Sequence, residues 1–192
     1  MKRFISVILF VVMLACVFTG CGEKSDIPEG YKLASNESCD FDFYVPQNWT
    51  VSLSSGTVSA NTNAMRDSTS ISVMPGSLSS GITSLDEWWK SYVPEFQRVF
   101  GEMSEVTVTD CTLDGVEGKC YTFTASLGDP AAETAETTEG TASADKPTVY
   151  YYEITAVIHH SRIYMMTFTS TDELYENHTD TLAEVKEYFK FH

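Results

Sequence analysis

The fold of this chain is decided by nine consecutive residues, Phe41-Asp42-Phe43-Tyr44-Val45-Pro46-Gln47-Asn48-Trp49. Apolar side chains at positions 41, 43 and 45 alternate with Asp42 and Tyr44, and Pro46 begins a turn. Alternation with a period of two is typical of a strand with one buried face and one wetter face. Trp49 opens a second alternating run, so the stretch predicts two neighbouring strands of an antiparallel sheet.

The same alternation continues along the chain. It predicts further strands at residues 56–60 and 69–75, on both sides of the Asp114-Gly115 turn, and at 150–158 and 163–169. From 128 to 147 the chain has no large apolar side chain. Such a segment cannot offset the entropy of ordering, so it is predicted to be a flexible acidic loop between two strands of a single domain, residues 31–192.

Two segments are predicted to be helical. The first begins at the capping box Ser84-Leu85-Asp86-Glu87, and Pro94 is expected to kink or restart it. A second capping box, Ser170-Thr171-Asp172-Glu173, is expected to begin the last helix, with His178 as a packed residue of its inward stripe. The order of strands, helix, strands and helix predicts an α+β fold with a central antiparallel β-sheet flanked by helices.

The stretch 41–49 resembles the opening strand of the PsbP-like superfamily, in which an aromatic strand runs into Pro, a polar pair and Trp. The resemblance spans Tyr31 to His192 and ends in Phe189-Lys190-Phe191. That superfamily includes photosystem II extrinsic subunits, Ran-binding nuclear import factors, the bacterial envelope protein DcrB and many lipoproteins. The resemblance implies an αβα sandwich, and it implies protein binding rather than catalysis.

The N-terminus resembles a bacterial lipoprotein signal peptide, residues 1–20. Lys2 and Arg3 precede an apolar run that is too short for a membrane span, and Thr19-Gly20-Cys21 resembles a lipobox. The resemblance implies a diacylated Cys21 as the first residue of the mature protein, followed by a polar tether to residue 30. Lipidation places the protein on the extracytoplasmic side of the bacterial cell membrane. The alternatives are a box at Cys16 and a plain secretory signal cut near Gly20.

The charge balance excludes one class of partner. The chain has 27 acidic and 12 basic residues and a formal net charge of −15 at pH 7. This balance repels nucleic acid, so no nucleic-acid partner is expected.

After lipidation of Cys21, three thiols remain in the mature chain: Cys39, Cys111 and Cys120. Cys111 and Cys120 bracket the Asp114-Gly115 turn, which suggests a disulfide between them. A four-residue loop, 114–117, would place the two cysteines opposite each other, whereas a two-residue loop at 114–115 would offset them and prevent the bridge. The spacing of Cys and His residues predicts no metal site, and no cofactor is expected.

No catalytic motif is present in the sequence, so the chain is predicted not to be an enzyme. The leading hypothesis is a membrane-anchored extracytoplasmic lipoprotein that serves as a binding or accessory module for a protein partner or an envelope complex. The alternative is a small-ligand receptor with an aromatic pocket formed by Trp88, Trp89, Tyr92 and Tyr151.

Overall fold

The computed structural model describes residues 27–54, 56–127 and 148–192. The predicted signal peptide, Cys21 with most of the tether, and the 128–147 segment lie outside these residues. The described strands are β1 (Tyr31–Leu33), β2 (Phe41–Asp42), β3 (Tyr44–Pro46), β4 (Thr50–Ser54), β5 (Thr57–Asn61), β6 (Ser70–Ser77), β7 (Phe100–Met103), β8 (Thr107–Leu113), β9 (Val116–Leu127), β10 (Val149–His159), β11 (Arg162–Thr171) and β12 (Lys190–Phe191). The described helices are α1 (Leu85–Gln97), a 3₁₀ turn (Tyr175–His178) and α2 (Thr179–Tyr188).

Eight strands form one antiparallel sheet in the order β4-β5-β6-β11-β10-β9-β7, with β8 also paired to β9. β9 and β10 pair from Ser126↔Val149 to Gly118↔Val157. The 128–147 segment therefore joins two adjacent strands of one sheet. Two smaller pairs, β1 with β3 and β2 with β12, bring the N-terminal strands together and tie the C-terminus to them.

Two of the hairpins with two-residue loops, β8–β9 and β10–β11, have left-handed backbone at both loop positions. Asp114 and Gly115 have φ values of 48° and 75°, and His160 and Ser161 have values of 47° and 63°. Positive φ at both loop positions is the geometry of type I′ turns, whose twist matches that of the flanking strands. The predicted turn at Asp114-Gly115 is present, and the turn after His159 joins the two strands predicted at 150–158 and 163–169.

The two helices cover opposite faces of the sheet. Tyr152 and Ile154 of β10 pack in one buried cluster with Trp88 of α1. Val157 of the same strand packs in a second cluster with Val185 of α2. Because neighbouring residues of a strand point to opposite faces, the even and odd positions of β10 separate the two layers. The predicted central antiparallel sheet is present, but the helical layers are slight, with helices of 13 and 10 residues in a mainly β structure.

The first helix begins where the sequence predicts. The Ser84 hydroxyl accepts a hydrogen bond from the Glu87 N–H, and the Glu87 carboxylate accepts one from the Ser84 N–H. This is the predicted capping box. Helix α1 runs past Pro94 to Gln97 as one element.

The second predicted capping box is wrong. Ser170 and Thr171 are the last residues of β11, and the buried Ser170 hydroxyl lies 2.7 Å from the Thr69 hydroxyl. Ser170 pairs with Tyr151 in the sheet, where strand pairing satisfies its backbone groups. Helix α2 begins later and has no side-chain cap, because its N-cap residue is His178.

Candidate functional site

A groove of about 730 Å³ lies between the first turn of α1 and the β8–β9 hairpin. Its polar lining includes three carboxylates, one ammonium group and three hydroxyls, contributed by Asp86, Asp110, Glu117, Lys119, Thr83, Ser84 and Thr112. With three negative groups and one positive group, the lining is negative at neutral pH. We call this feature the acidic groove.

The capping box fixes the helix side of the acidic groove. The Glu87 carboxylate accepts hydrogen bonds from the backbone N–H groups of Thr83, at 2.8 Å, and Ser84, at 3.2 Å. These bonds hold the pKa of Glu87 below its usual range, and the bonds from Thr83 have the larger effect. Glu87 is therefore engaged by the backbone, whereas Asp86 lines the groove with a side chain that is 66% exposed. An acidic residue at this position is also favoured by the positive end of the helix dipole.

Strand register fixes the other side. Asp110 pairs directly with Lys119 across β8 and β9, and Thr112 pairs with Glu117. Lys119 Nζ lies 3.4 Å from Asp86 Oδ1 and 3.7 Å from Asp110 Oδ1, so this one ammonium group links helix and hairpin. The Asp110 side chain is 94% exposed. Exposed pairs of this kind are weak, which leaves the carboxylates available to a ligand.

Gly118 allows the hairpin to approach β10 closely. A Cβ atom at this position would lie 2.5 Å from Val157 Cγ1 and 2.6 Å from the Ala156 carbonyl oxygen. Both distances are shorter than real side-chain contacts, so the close pairing behind Lys119 requires glycine here.

The cysteine hypothesis needs correction. The hairpin has the two-residue loop, with Leu113 opposite Val116, so the four-residue loop is wrong. Cys111 lies opposite Gly118 and Cys120 lies opposite Thr109. This offset separates the cysteines along the ladder, and both are free thiols in the structure rather than a disulfide. Burial raises the pKa of Cys111 and raises that of Cys120 to about 12.

The predicted aromatic pocket is not assembled as a unit. Trp88, Trp89 and Tyr92 lie together on α1, where the Trp88 and Tyr92 rings stack at 4.9 Å and the Trp89 ring stacks on Tyr121 at 3.9 Å. Tyr151 lies on the opposite face of the sheet and stacks on Tyr175 at 4.2 Å. The alternation of β10 places Tyr152, not Tyr151, on the α1 face. The three helix aromatics pack against the sheet, which is the role of a core layer.

Sequence reasoning did not find the acidic groove. Asp86 was available as part of the capping box, but the other three charged residues gain meaning only through the exact pairing of β8 with β9. The Asp114-Gly115 turn indicates this β8–β9 pairing. With a two-residue loop, counting outward from the turn pairs Asp110 with Lys119.

The fold defined by this sheet and its two helices is PsbP-like. The solution structure of cyanobacterial PsbP from Synechocystis sp. PCC 6803 matches with a TM-score of 0.53 and 14% identity over 92% of this chain and 99% of that one. The Ran-binding protein Mog1p of Saccharomyces cerevisiae matches with a TM-score of 0.54 and 10% identity over 84% and 95% of the two chains. LpqN of Mycobacterium tuberculosis, involved in cell envelope biogenesis, gives 0.48 and 12% identity over 78% and 82%.

The likenesses to PsbP and Mog1p show the fold alone, because the identities are low. No protein-family model matches the sequence, and no curated protein matches it significantly. None of the helices in residues 27–54, 56–127 and 148–192 is long and apolar enough to cross a membrane.

Proposed function

We propose that this chain is a lipid-anchored, extracytoplasmic accessory module whose acidic groove binds a basic segment of a partner protein. The single observation that carries the proposal is the groove lining, in which Asp86, Asp110 and Glu117 outnumber Lys119. A lysine or arginine of the partner would replace Lys119 as the counter-ion of these carboxylates. Complementary charge of this kind also speeds the encounter between partners.

The exposure of the carboxylates favours a protein segment over a small molecule. Small-molecule sites are mostly apolar and bury most of the ligand surface. Here the Asp86 and Asp110 side chains are 66% and 94% exposed. The three helix aromatics of the alternative ligand pocket are packed against one another and against β9 instead.

A non-catalytic role fits the chemistry of the groove region. Cys111 lines the groove, and burial raises the pKa of its thiol above the usual value. The thiol is therefore protonated at neutral pH, and a protonated thiol is a poor nucleophile.

Anchoring through Cys21 is the second part of the proposal. Two acyl chains hold a protein stably on a membrane, whereas one chain binds only reversibly. A Cys21→Ser form should appear in the soluble fraction. If it stays with the membrane even when the groove carboxylates Asp86, Asp110 and Glu117 are also neutralised, the lipid anchor is wrong.

Site-specific photo-crosslinking tests the groove. A photoreactive amino acid is placed at Thr112, inside the groove, in the anchored protein in its native cells, and adducts are identified by mass spectrometry. The matched control carries the same group at Glu187, an exposed position on α2. We expect one dominant envelope protein from position 112 and not from 187.

Charge removal completes this test. The triple variant Asp86→Asn, Asp110→Asn and Glu117→Gln should lose the adduct while the protein remains folded and anchored. An adduct that survives the triple variant, or no adduct from position 112 at all, would contradict groove binding.

A further inference from the structure

Charged residues are scarce at one edge of the sheet. Between Phe43 and Leu85 the sequence contains only two charged residues, Arg66 and Asp67, although the chain has a net charge of −15. Asp67 is bound by His178 at 2.7 Å and its side chain is 12% exposed. This segment forms β4, β5 and β6, which make up the edge of the sheet farthest from the acidic groove.

The edge strand β4 itself contains none of the residues that usually protect an edge against pairing, and the charged side chain beside it, Lys32, bonds the Trp49 carbonyl before the strand begins. Among the described strands it pairs with β5 alone, and the register from Thr50↔Asn61 to Ser54↔Thr57 is unbroken. Because β4 has a partner on one side only, every second residue of β4 directs its backbone N–H and C=O groups away from the sheet. Natural edge strands are normally blocked by charged side chains, proline or bulges, and Thr50–Ser54 contains no charge and no proline.

The side chains of β4 leave an apolar row unfinished. Val51 lies opposite Ala60, and Leu53 lies opposite Val58, so both continue the buried face of β5 towards the edge. Val58 and Ala60 are fully buried, but Leu53 is 46% exposed. An apolar row of this kind is completed when another strand is added beside β4.

We propose that two copies of the chain associate by antiparallel pairing of β4 with β4 of a second copy, centred on Ser52. In this register Val51 of one copy lies opposite Leu53 of the other, and the contact occurs twice by symmetry. Each apolar row of one sheet then continues into an apolar row of the other. The opposite face is equally continuous, because Ser52 meets Ser52 and its neighbours on β5 and β6 are Ser59 and Ser72.

A second copy is favoured over a different protein by charge. Two molecules of net charge −15 repel each other over most of their surfaces, and the β4 edge is where they meet without opposed carboxylates. The charged side chains that line the same cavity as Leu53 are Asp40 and Arg162, and these two bond to each other. The two-fold register also makes the β4 edge complementary to itself, and binding to a strand of a different protein would not require this self-complementarity.

This inference is independent of the proposed function. The acidic groove lies on the β8–β9 hairpin, at the other end of the strand order. Pairing through β4 therefore leaves both grooves of the dimer open and at opposite ends of a continuous sheet.

Disulfide trapping in the full chain tests the register. Ser52→Cys should give a disulfide-linked dimer on mild oxidation in membranes, and mass spectrometry should identify two copies of the same peptide joined through position 52. The matched control is Ser59→Cys, on the same face but one strand inward. Two Ser59 positions would be separated by three strand spacings, about 14 Å, which is too far for a disulfide.

Edge variants separate specific pairing from random collision. Leu53→Lys places a charge on the edge and should reduce the trapped Ser52→Cys dimer roughly tenfold. Met65→Lys changes another exposed large apolar residue, which is 90% exposed and lies outside β4, and should leave the yield unchanged. Equal trapping at positions 52 and 59, insensitivity to Leu53→Lys, or a disulfide between the thiol introduced at position 52 and another protein would each overturn the proposal.

Discussion

The two ends of the sheet are built from opposite kinds of sequence. Residues 43–85, which form β4 to β6, contain two charged residues, whereas residues 86–119, which form α1, β7, β8 and the start of β9, contain eleven, eight of them acidic. One end offers backbone hydrogen-bonding groups and an unfinished apolar row. The other offers carboxylates around a groove. One sheet thus presents a surface suited to its own copy and a surface suited to a basic partner.

The two ends of the sheet should respond differently to salt concentration. Pairing through β4 depends on backbone hydrogen bonds and buried apolar area, which salt screens little. Binding at the acidic groove depends on exposed charges, whose interactions fall off within about 8 Å at physiological ionic strength. Raising the salt concentration should therefore release the groove partner before it separates the two copies.

The largest expected effect on stability is at Gly118, where the β8–β9 hairpin lies close against β10. Gly118→Ala would place a Cβ atom 2.6 Å from the Ala156 carbonyl oxygen, which is backbone and cannot rotate away. We expect a loss of about 3 kcal/mol in the free energy of unfolding, measured by urea denaturation.

The matched control lies at the other end of the sheet, where charged residues are scarce. At Gly76 on β6 an added Cβ atom would meet Ile163 Cγ2 at 3.0 Å, and that side chain can adjust. Gly76→Ala should therefore cost about 1 kcal/mol or less. Equal losses at the two glycines would show that the backbone contact at Gly118 is not limiting.

The sequence predicted the sheet well because its signals are local. The alternation in 41–53, the Asp114-Gly115 turn and the Ser84–Glu87 cap each depend on a few neighbouring residues. The second capping box failed for the opposite reason. Ser170 has the same local pattern as Ser84, but it pairs with Tyr151 and is buried against Thr69. Tertiary pairing decided that position.

The site was less predictable than the fold. Trp88, Trp89 and Tyr92 share a helix face, so their proximity follows from helical spacing. Tyr151 comes from a strand, and a shift of one residue decides its face. The acidic groove needs the β8–β9 register and the placement of α1 together, and no local pattern contains both.

The second prediction concerns Asp67, the one acidic residue in the segment that forms β4 to β6. The Asp67 carboxylate accepts a hydrogen bond from the Thr69 N–H at 2.9 Å and bonds His178 at 2.7 Å, which ties the β5–β6 connection to the start of α2. Asp67→Ala should lower the free energy of unfolding by about 2 kcal/mol at pH 7, because it leaves a half-buried N–H and an imidazole without their acceptor.

This loss should depend on pH. Burial alone would raise the pKa of Asp67, but the bonds from Thr69 and His178 outweigh it and lower the pKa below its ordinary value of 3.8. A lowered pKa in the folded state means that the ionised form stabilises the fold above the unfolded pKa. The gap between the native chain and Asp67→Ala should therefore narrow as the pH falls below about 4. A difference in the free energy of unfolding that does not change with pH would contradict the stabilising role of the Asp67 carboxylate.

The third prediction concerns the corresponding acid of the hairpin. Asp114 accepts hydrogen bonds from the Phe191 N–H at 2.8 Å and from Lys190 Nζ at 2.9 Å, which ties the turn to the C-terminal strand. Asp114→Asn keeps a residue that suits the turn but removes the charge, so we expect a loss of about 1 kcal/mol at pH 7. Burial raises the pKa of Asp114, but the bonds from Phe191 and Lys190 lower it overall, so this loss should also shrink in acid. Unfolding of Asp114→Asn followed between pH 3 and pH 7 checks this, and a larger loss in acid would contradict it.

The smallest expected effect on stability occurs at Lys119, where the effect on binding is informative. Its contacts with Asp86 and Asp110 are 3.4 Å and 3.7 Å long and largely exposed, so Lys119→Gln should change the free energy of unfolding by less than about 0.5 kcal/mol. The same change removes the internal counter-ion of the groove and leaves three carboxylates unopposed. The crosslink from position 112 to a basic partner should therefore become stronger and should need more salt to abolish it. If Lys119→Gln instead weakens the crosslink, Lys119 contacts the partner directly, and the groove recognises an acidic group rather than a basic one.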